Sequence, residues 1–200
     1  MHLLTPLRVL ATLLTLGSSA VLAASALEDD FSKSDFPGRR AIRGDWTFNA
    51  NTATCAQDDA LFKKLKDHGP ILFYDVDYGD GAITFSFKPD AQTKAVGFTA
   101  NGANGHLFRF GISAAGMTPR AFPLEDKDHK SITLGTEPGV KLQPGEWTSV
   151  RVVLKGNTAA VTIGDFTKTY EHPSIGQPKK NFSIGFSFGT VSVKGVALEK

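Results

Sequence analysis

The sequence is poor in cysteine, in net charge and in helical periodicity. One cysteine, Cys55, among 200 residues cannot form an intrachain disulfide or supply a cysteine-based zinc site. Cys55 reads as a small buried hydrophobe rather than a reactive thiol, with an intermolecular disulfide as the alternative. Lys and Arg number 22 against 20 Asp and Glu, which excludes the electrostatic footprint of a dedicated nucleic-acid binder. None of the five histidines stands in an H-x-H or H-x-x-x-H pair, so no local zinc motif exists, and neither metal nor cofactor is expected. Tryptophan (2) and tyrosine (3) are scarce, which leaves the 15 phenylalanines as most of the aromatic content.

The amino terminus has a character of its own. Arg8 is the only formal side-chain charge in residues 1–26; an apolar run over Val9–Leu16 leads through Gly17, Ser18 and Ser19 to Ala24-Ser25-Ala26. A basic start, a short apolar core and an A-x-A site describe a secretory signal peptide. Cleavage after Ala23 fits the same pattern. A membrane span would need ~20 apolar residues, and Thr, Gly and Ser interrupt this one. The expected organisation is a signal peptide over 1–26 and one exported domain over 27–200, periplasmic or extracellular, with no membrane partner after cleavage. That domain carries a formal charge of +1. At its size roughly two-thirds of the unfolded surface is buried on folding, so no disulfide staples are needed.

Period-two alternation dominates the remainder. Tyr74, Val76 and Tyr78 share one face, as do Ile83, Phe85 and Phe87. The same holds for Phe108, Phe110 and Ile112, for Val150, Val152 and Leu154, for Ala159, Val161 and Ile163, and for Phe182, Ile184, Phe186 and Phe188. Thr, Ser, Lys and Arg occupy the alternate positions. Turn signals separate the runs, among them Gly79-Asp80-Gly81, the Asn101–Gly105 loop, Gly156-Asn157 and Gly164-Asp165. The pattern predicts an all-β, antiparallel two-sheet sandwich whose phenylalanines fill the ~10 Å between sheets. One short helix is expected from Asp58 onward, capped by Asp58, striped by Leu61, Phe62 and Leu65, and ended by Gly69-Pro70.

Three stretches resemble concanavalin A-like jelly-roll domains: the opening Glu28-Asp-Asp-Phe-Ser32, the strand and hairpin from Pro144-Gly-Glu-Trp147 to Gly156-Asn157, and the ending Lys179–Phe188 with Val191–Val193. Within that group the chain resembles exported domains related to the 3-keto-disaccharide hydrolases, which are family-16-glycosidase-like. Gln57–Lys64 with Asp67–Ile71, and Asn101–Phe110, resemble an exported bacterial subgroup. The resemblance covers nearly all of the chain after residue 26 and implies a jelly roll, a structural packing role for Trp147, and a glycan-directed protein. Laminarinase-type relatives carry a Glu-x-Asp-x-x-Glu strand that is absent here, which argues against that hydrolytic mechanism. The resemblance does not place catalytic residues for 3-keto-glycoside chemistry on this sequence.

Each candidate residue has a structural alternative. Asp75 and Asp77, ~6.6–6.8 Å apart on one strand face, have the spacing of a glycosidase carboxylate pair; the alternative is a solvated outer face. A calcium loop over Asp75–Ser86 fails for want of a bidentate Glu. His106 sits at the start of a strand beside the Asn101–Gly105 loop, with Arg109 on the outer face. The two could hold sugar hydroxyls or a carboxylate, the alternative being a hydrogen-bonded histidine and an arginine lying along the sheet. His68 is a third substrate-binding candidate, or simply a cap on the helix end. The run Leu124–Lys130 reads as a solvated loop or one wall of a site. Gly102 and Gly105 precede no helix, so they do not form a phosphate loop. Trp46, Tyr74, Tyr78 and Tyr170 are the candidate sugar platforms, with Trp46 expected to pack. The sequon Asn181-Phe-Ser183 overlaps a strand. Three functional classes follow: a glycan-directed hydrolase, a non-catalytic carbohydrate-binding module, or an exported structural or interaction protein. Fold alone does not choose among them. Oligomeric state is left open.

Overall fold

A computed structural model describes residues 25–49, 51–124 and 130–200. The chain builds β1 (Ser25–Asp29), β2 (Arg39–Ile42), β3 (Thr47–Asn49), β4 (Thr52–Ala56), α1 (Asp59–Lys64), β5 (Ile71–Tyr78), β6 (Gly81–Pro89), β7 (Ala95–Gly102), β8 (Gly105–Ser113) and β9 (Gly116–Ala121). It continues with β10 (Ile132–Thr133), β11 (Thr148–Lys155), β12 (Thr158–Ile163), β13 (Phe166–Glu171), a 3₁₀ turn (Pro173–Gly176), β14 (Lys179–Ser187) and β15 (Thr190–Glu199).

These strands form two antiparallel sheets. The first runs β13-β12-β11-β6-β15-β4-β3, and β1 also pairs with β15. The ten residues of β15 serve two neighbours on one side: Thr190–Val193 pair with β4, and Val196–Glu199 pair with β1. Gly195, at φ +61°, sits at the register shift between them, which is the left-handed conformation a bulge of this kind favours in glycine. The second sheet runs β10-β9-β8-β7-β14-β5-β2.

The alternation places the core as expected. Phe85, Phe87, Phe98, Phe108, Phe110 and Phe182 are at most 3% exposed. Phe98 stands at the centre of a ring cluster, with Phe110 at 5.6 Å and Phe85 and Phe182 each at 6.2 Å. Gly156-Asn157 and Gly164-Asp165 make two-residue hairpins. Cys55 is 1% exposed, and burial, with Asp45 nearby, pushes its thiol up to about 12. It behaves as a small core residue.

Two local expectations are corrected. The helix is shorter than its stripe suggests. Asp58 caps it by accepting from the Ala60 and Leu61 amides, but Lys66 and Asp67 turn left-handed and end it before Gly69 is reached. Gly69 has a different role: a Cβ there would lie 2.0 Å from the Phe186 carbonyl oxygen. Phe188 does not continue the core face of β14. It and Gly189 both have φ of +63° and form the turn into β15, and the Phe188 ring rests on Phe62 at 5.1 Å and under the Lys94 ammonium at 4.1 Å.

Across the two sheets, β1, β2 and β5 meet at a buried ion pair. Asp29 accepts from Arg39 Nη1 at 2.8 and 3.0 Å, from the Tyr74 hydroxyl at 2.9 Å and from the Phe31 amide at 3.0 Å. The Arg39 guanidinium also donates to the Lys33 and Ser34 carbonyls and lies 3.9 Å from the Phe48 ring centroid. This explains the Asp29-Asp30-Phe31 opening: its buried carboxylate ties the first sheet to the second.

Candidate ligand-binding face

Because Phe98, Phe108, Phe110 and Phe182 point inward, their neighbours point out from the second sheet. Register then lines up residues far apart in sequence. One outward row runs Thr133, Arg120, Arg109, Thr99, Ser183, Phe73, Arg40 across all seven strands. The adjacent row runs Thr118, Gly111, Gly97, Gly185, Ile71, Ile42. On the other side stands the row His106, Asn101, Asn181, Asp75.

The first three members of the last row are hydrogen-bonded to one another. Asn101 Nδ2 donates to Asn181 Oδ1 at 2.7 Å, and His106 Nδ1 meets Asn101 Oδ1 at 2.6 Å. An oxygen acceptor at Nδ1 assigns the proton there and leaves Nε2 as an acceptor. His106 also packs edge-on to Phe122, 5.1 Å between centroids, beside a cavity of about 300 Å³ lined by Asn104, Gly105, Phe122, Pro123 and Leu124. Partial burial, then Arg109 and His68, lower the pKa of His106. The structure therefore brings His68, His106 and Arg109 within electrostatic reach of one another. His68 itself is held locally, its Nδ1 against the Leu65 and Lys66 carbonyls.

Arg109 and Arg120 are directly opposed across β8 and β9, and both are exposed. Partial burial and the Arg120 charge lower the pKa of Arg109. Among the described residues Arg109 has no carboxylate partner, and Arg120 has only Ser131 Oγ at 3.5 Å. Three glycines of the adjacent row, Gly111, Gly97 and Gly185, carry no side chains; a Cβ on Gly111 would meet nothing within 4 Å, whereas one on Gly185 would meet Ile71 at 3.3 Å.

Asp75 and Asp77 lie on this face near its other edge. Arg40 grips Asp75 through Nε and Nη2, and Lys180 holds Asp77 at 2.7 Å. The Arg40 hydrogen bonds keep the Asp75 carboxyl below its usual range, opposite to the shift a general acid needs. Asp75 is three strand spacings, roughly 14 Å, from His106. Glu137 likewise shifts downward, through Lys168. A cavity of about 950 Å³ by Lys94, Ser113 and Phe188 has Asp59 as its lining carboxylate. No group of three His, Cys, Asp or Glu side chains among the described residues could hold a metal.

The tyrosine platforms fail. Tyr74, Tyr78 and Tyr170 are at most 5% exposed; the first and last spend their hydroxyls on Asp29 and Glu137. Trp46 packs edge-on against Phe186 at 6.0 Å. Trp147 is 37% exposed, with Lys194 and Lys88 lying over its ring at 4.2 and 5.3 Å. It packs under lysine stems, not in the core. Of the run Leu124–Lys130, residues 125–129, including His129, lie outside the described residues, as do residues 1–24 of the expected signal peptide. The sequence reading missed Arg120, Asn101, Asn181, Thr99 and Ser183. The first sits in a short strand around Pro119, which hides the alternation. The rest become partners only through register.

The architecture is a two-sheet antiparallel β-sandwich of jelly-roll type, similar in fold to solved carbohydrate-binding modules and a glycosyl-hydrolase-like domain. No family model and no curated protein sequence matches the chain. Among solved structures it is similar to the carbohydrate-binding module CBM66 from Bacillus subtilis, with a TM-score of 0.60 at 9% identity, covering 82% of this chain and 96% of that one. It is also similar to the CBM2 module of the evolved Dit of Lactobacillus casei BL23 phage J-1, with a TM-score of 0.61 at 10% identity, covering 88% and 94%. A putative glycosyl hydrolase from Parabacteroides distasonis gives 0.53 at 12% identity, covering 82% and 89%. At these identities the likeness is one of fold.

Proposed function

We propose that the chain is an exported, non-catalytic carbohydrate-binding module that binds glycan across the outer face of its second sheet. The observation carrying this is the pair of adjoining polar rows, His106–Asn101–Asn181 and Arg120–Arg109–Thr99–Ser183, next to the row that holds Gly111, Gly97 and Gly185. A pyranose needs a shallow floor and fixed donors and acceptors at its rim. The first row presents an oriented histidine, the second supplies the exposed guanidinium groups of Arg109 and Arg120 beside the buried Thr99 and Ser183, and the glycines of the third leave room for a ring. The structures named above as carbohydrate-binding modules support the same class. Export rests on the basic, apolar and A-x-A order of residues 1–26.

The 3-keto-glycoside hydrolysis implied by resemblance would need an acid and a base or nucleophile at the sugar. Among the described residues, the candidate carboxylates Asp75 and Asp77 are held by Arg40 and Lys180. Glycan-array screening of the secreted protein, with hydrolysis assays on keto-disaccharides in parallel, tests the reading. Binding without turnover is expected, and His106→Ala should weaken it at least tenfold with the melting temperature unchanged to within a few degrees. Turnover of a keto-disaccharide, or no glycan bound at all, overturns it.

A further inference from the structure

We infer that the glycan is acidic, with a carboxylate or sulfate group of one sugar seated between Arg109 and Arg120. This deepens the binding reading above and rests on it. The two arginines are directly opposed cross-strand partners, with Cα atoms about 4.5–5.5 Å apart in such a pair. Like charges so placed destabilise a sheet. Three other arginines are matched with carboxylates, Arg39 with Asp29, Arg40 with Asp75 and Arg151 with Glu199, while Arg43 is not, among the described residues. At Arg109 and Arg120 the described residues provide none. Two guanidinium groups on paired positions of neighbouring strands can make a site for an oxyanion, which each can grip bidentately once Arg120 leaves its long contact with Ser131 Oγ.

The neighbours shape the rest of the ligand. Gly111, two residues from Arg109 on the same strand face, opens onto free space, so a ring attached to the anion can lie on the glycine row. The exposed His106, fixed through Asn101, is placed to meet ring hydroxyls. A polyanion with repeated charge would demand a larger basic field than a chain of net +2 provides. One charged sugar per site fits better.

The test uses an array holding neutral, uronate-bearing and sulfated oligosaccharides, followed by titration of the best ligand beside its neutral form, methyl-esterified or desulfated. Acidic ligands should dominate. Neutralising the ligand should weaken binding about tenfold or more, which corresponds to losing one charge-assisted contact. Arg109→Gln and Arg120→Gln should each weaken the acidic ligand several-fold more than its neutral form, narrowing the preference between the two. Gly111→Trp, whose Cβ meets nothing within 4 Å, should block both by filling the floor. A readout independent of ligand is available: Arg120→Gln should raise the melting temperature of the free protein by about 1–3 °C as the like-charge pair is relieved. Preference for uronates over sulfated sugars, or the reverse, identifies the anion. Equal binding of neutral and acidic forms, unaffected by either arginine variant, overturns the inference and leaves glycan binding intact. Failure of every glycan to bind overturns both.

Discussion

Arg39 and Arg109 show two opposite uses of the same side chain. Arg39 and its partner Asp29 have side chains only 2% and 1% exposed, and the guanidinium finds a carboxylate, two carbonyls and an aromatic face. Arg109 lies open on the second sheet beside another arginine. A charge fully matched inside the protein is committed to the fold, because any change leaves its partner buried and alone. A charge opposed by its like and turned toward solvent is costly to the fold and useful only to something that arrives from outside. The contrast separates the region that must stay fixed from the region that can recognise a ligand, and four measurements would break or sharpen it.

The largest effect is expected at Arg39→Ala. It strands the Asp29 carboxylate with the Tyr74 hydroxyl and one amide, and breaking a buried pair in this way costs about 3–5 kcal/mol. Urea unfolding should register that loss. A change below about 1 kcal/mol would mean that the pair is not what joins β1 to β5.

Next comes a matched exchange of both arginines for lysine. Arg39→Lys keeps the charge but loses the fork that serves Asp29 and two carbonyls together, and should cost about 1–3 kcal/mol. Arg109→Lys should change stability by less than about 0.5 kcal/mol, with the loss appearing in glycan affinity. Equal stability costs at the two positions would erase the distinction between them. A smaller loss, about 0.5–1.5 kcal/mol, is expected for Tyr74→Phe, which removes one of the donors to Asp29 and leaves Arg39 in place.

The two regions also differ in how openly the sequence announces them. The phenylalanine faces of β6, β8 and β14 follow from alternation, because inward packing is a local periodic demand. That same parity puts Arg109 outside. The buried pair is visible only as an Asp-Asp-Phe resemblance, since nothing local says that Asp29 faces Arg39 and Tyr74 from another sheet. The ladder Asn181–Asn101 joins residues 80 apart in sequence, and Arg120 meets Arg109 through a strand disguised by Pro119. Register of non-local strands decided these contacts. Phe188 misleads for a different reason: it keeps strand parity in sequence, but a two-residue turn takes it out of the strand.

The smallest effect belongs to the pH dependence of the recognition face. Burial, with Arg109 and His68, lowers the pKa of His106 in the folded state, while in the unfolded chain it sits near ~6.5. As pH falls below ~6.5 the unfolded chain takes up this proton first, so folding stability contributed by neutral His106 is present above that value and is lost on acidification toward the lowered folded pKa. The quantity to measure is the difference between wild type and His106→Gln in urea unfolding between pH 5 and 7. Wild type should lose more stability on acidification than the variant, by a small margin because the ring is only partly sheltered. Identical slopes would mean that Arg109 and His68 do not press on His106, and would remove the electrostatic link between the oriented histidine and the opposed arginines.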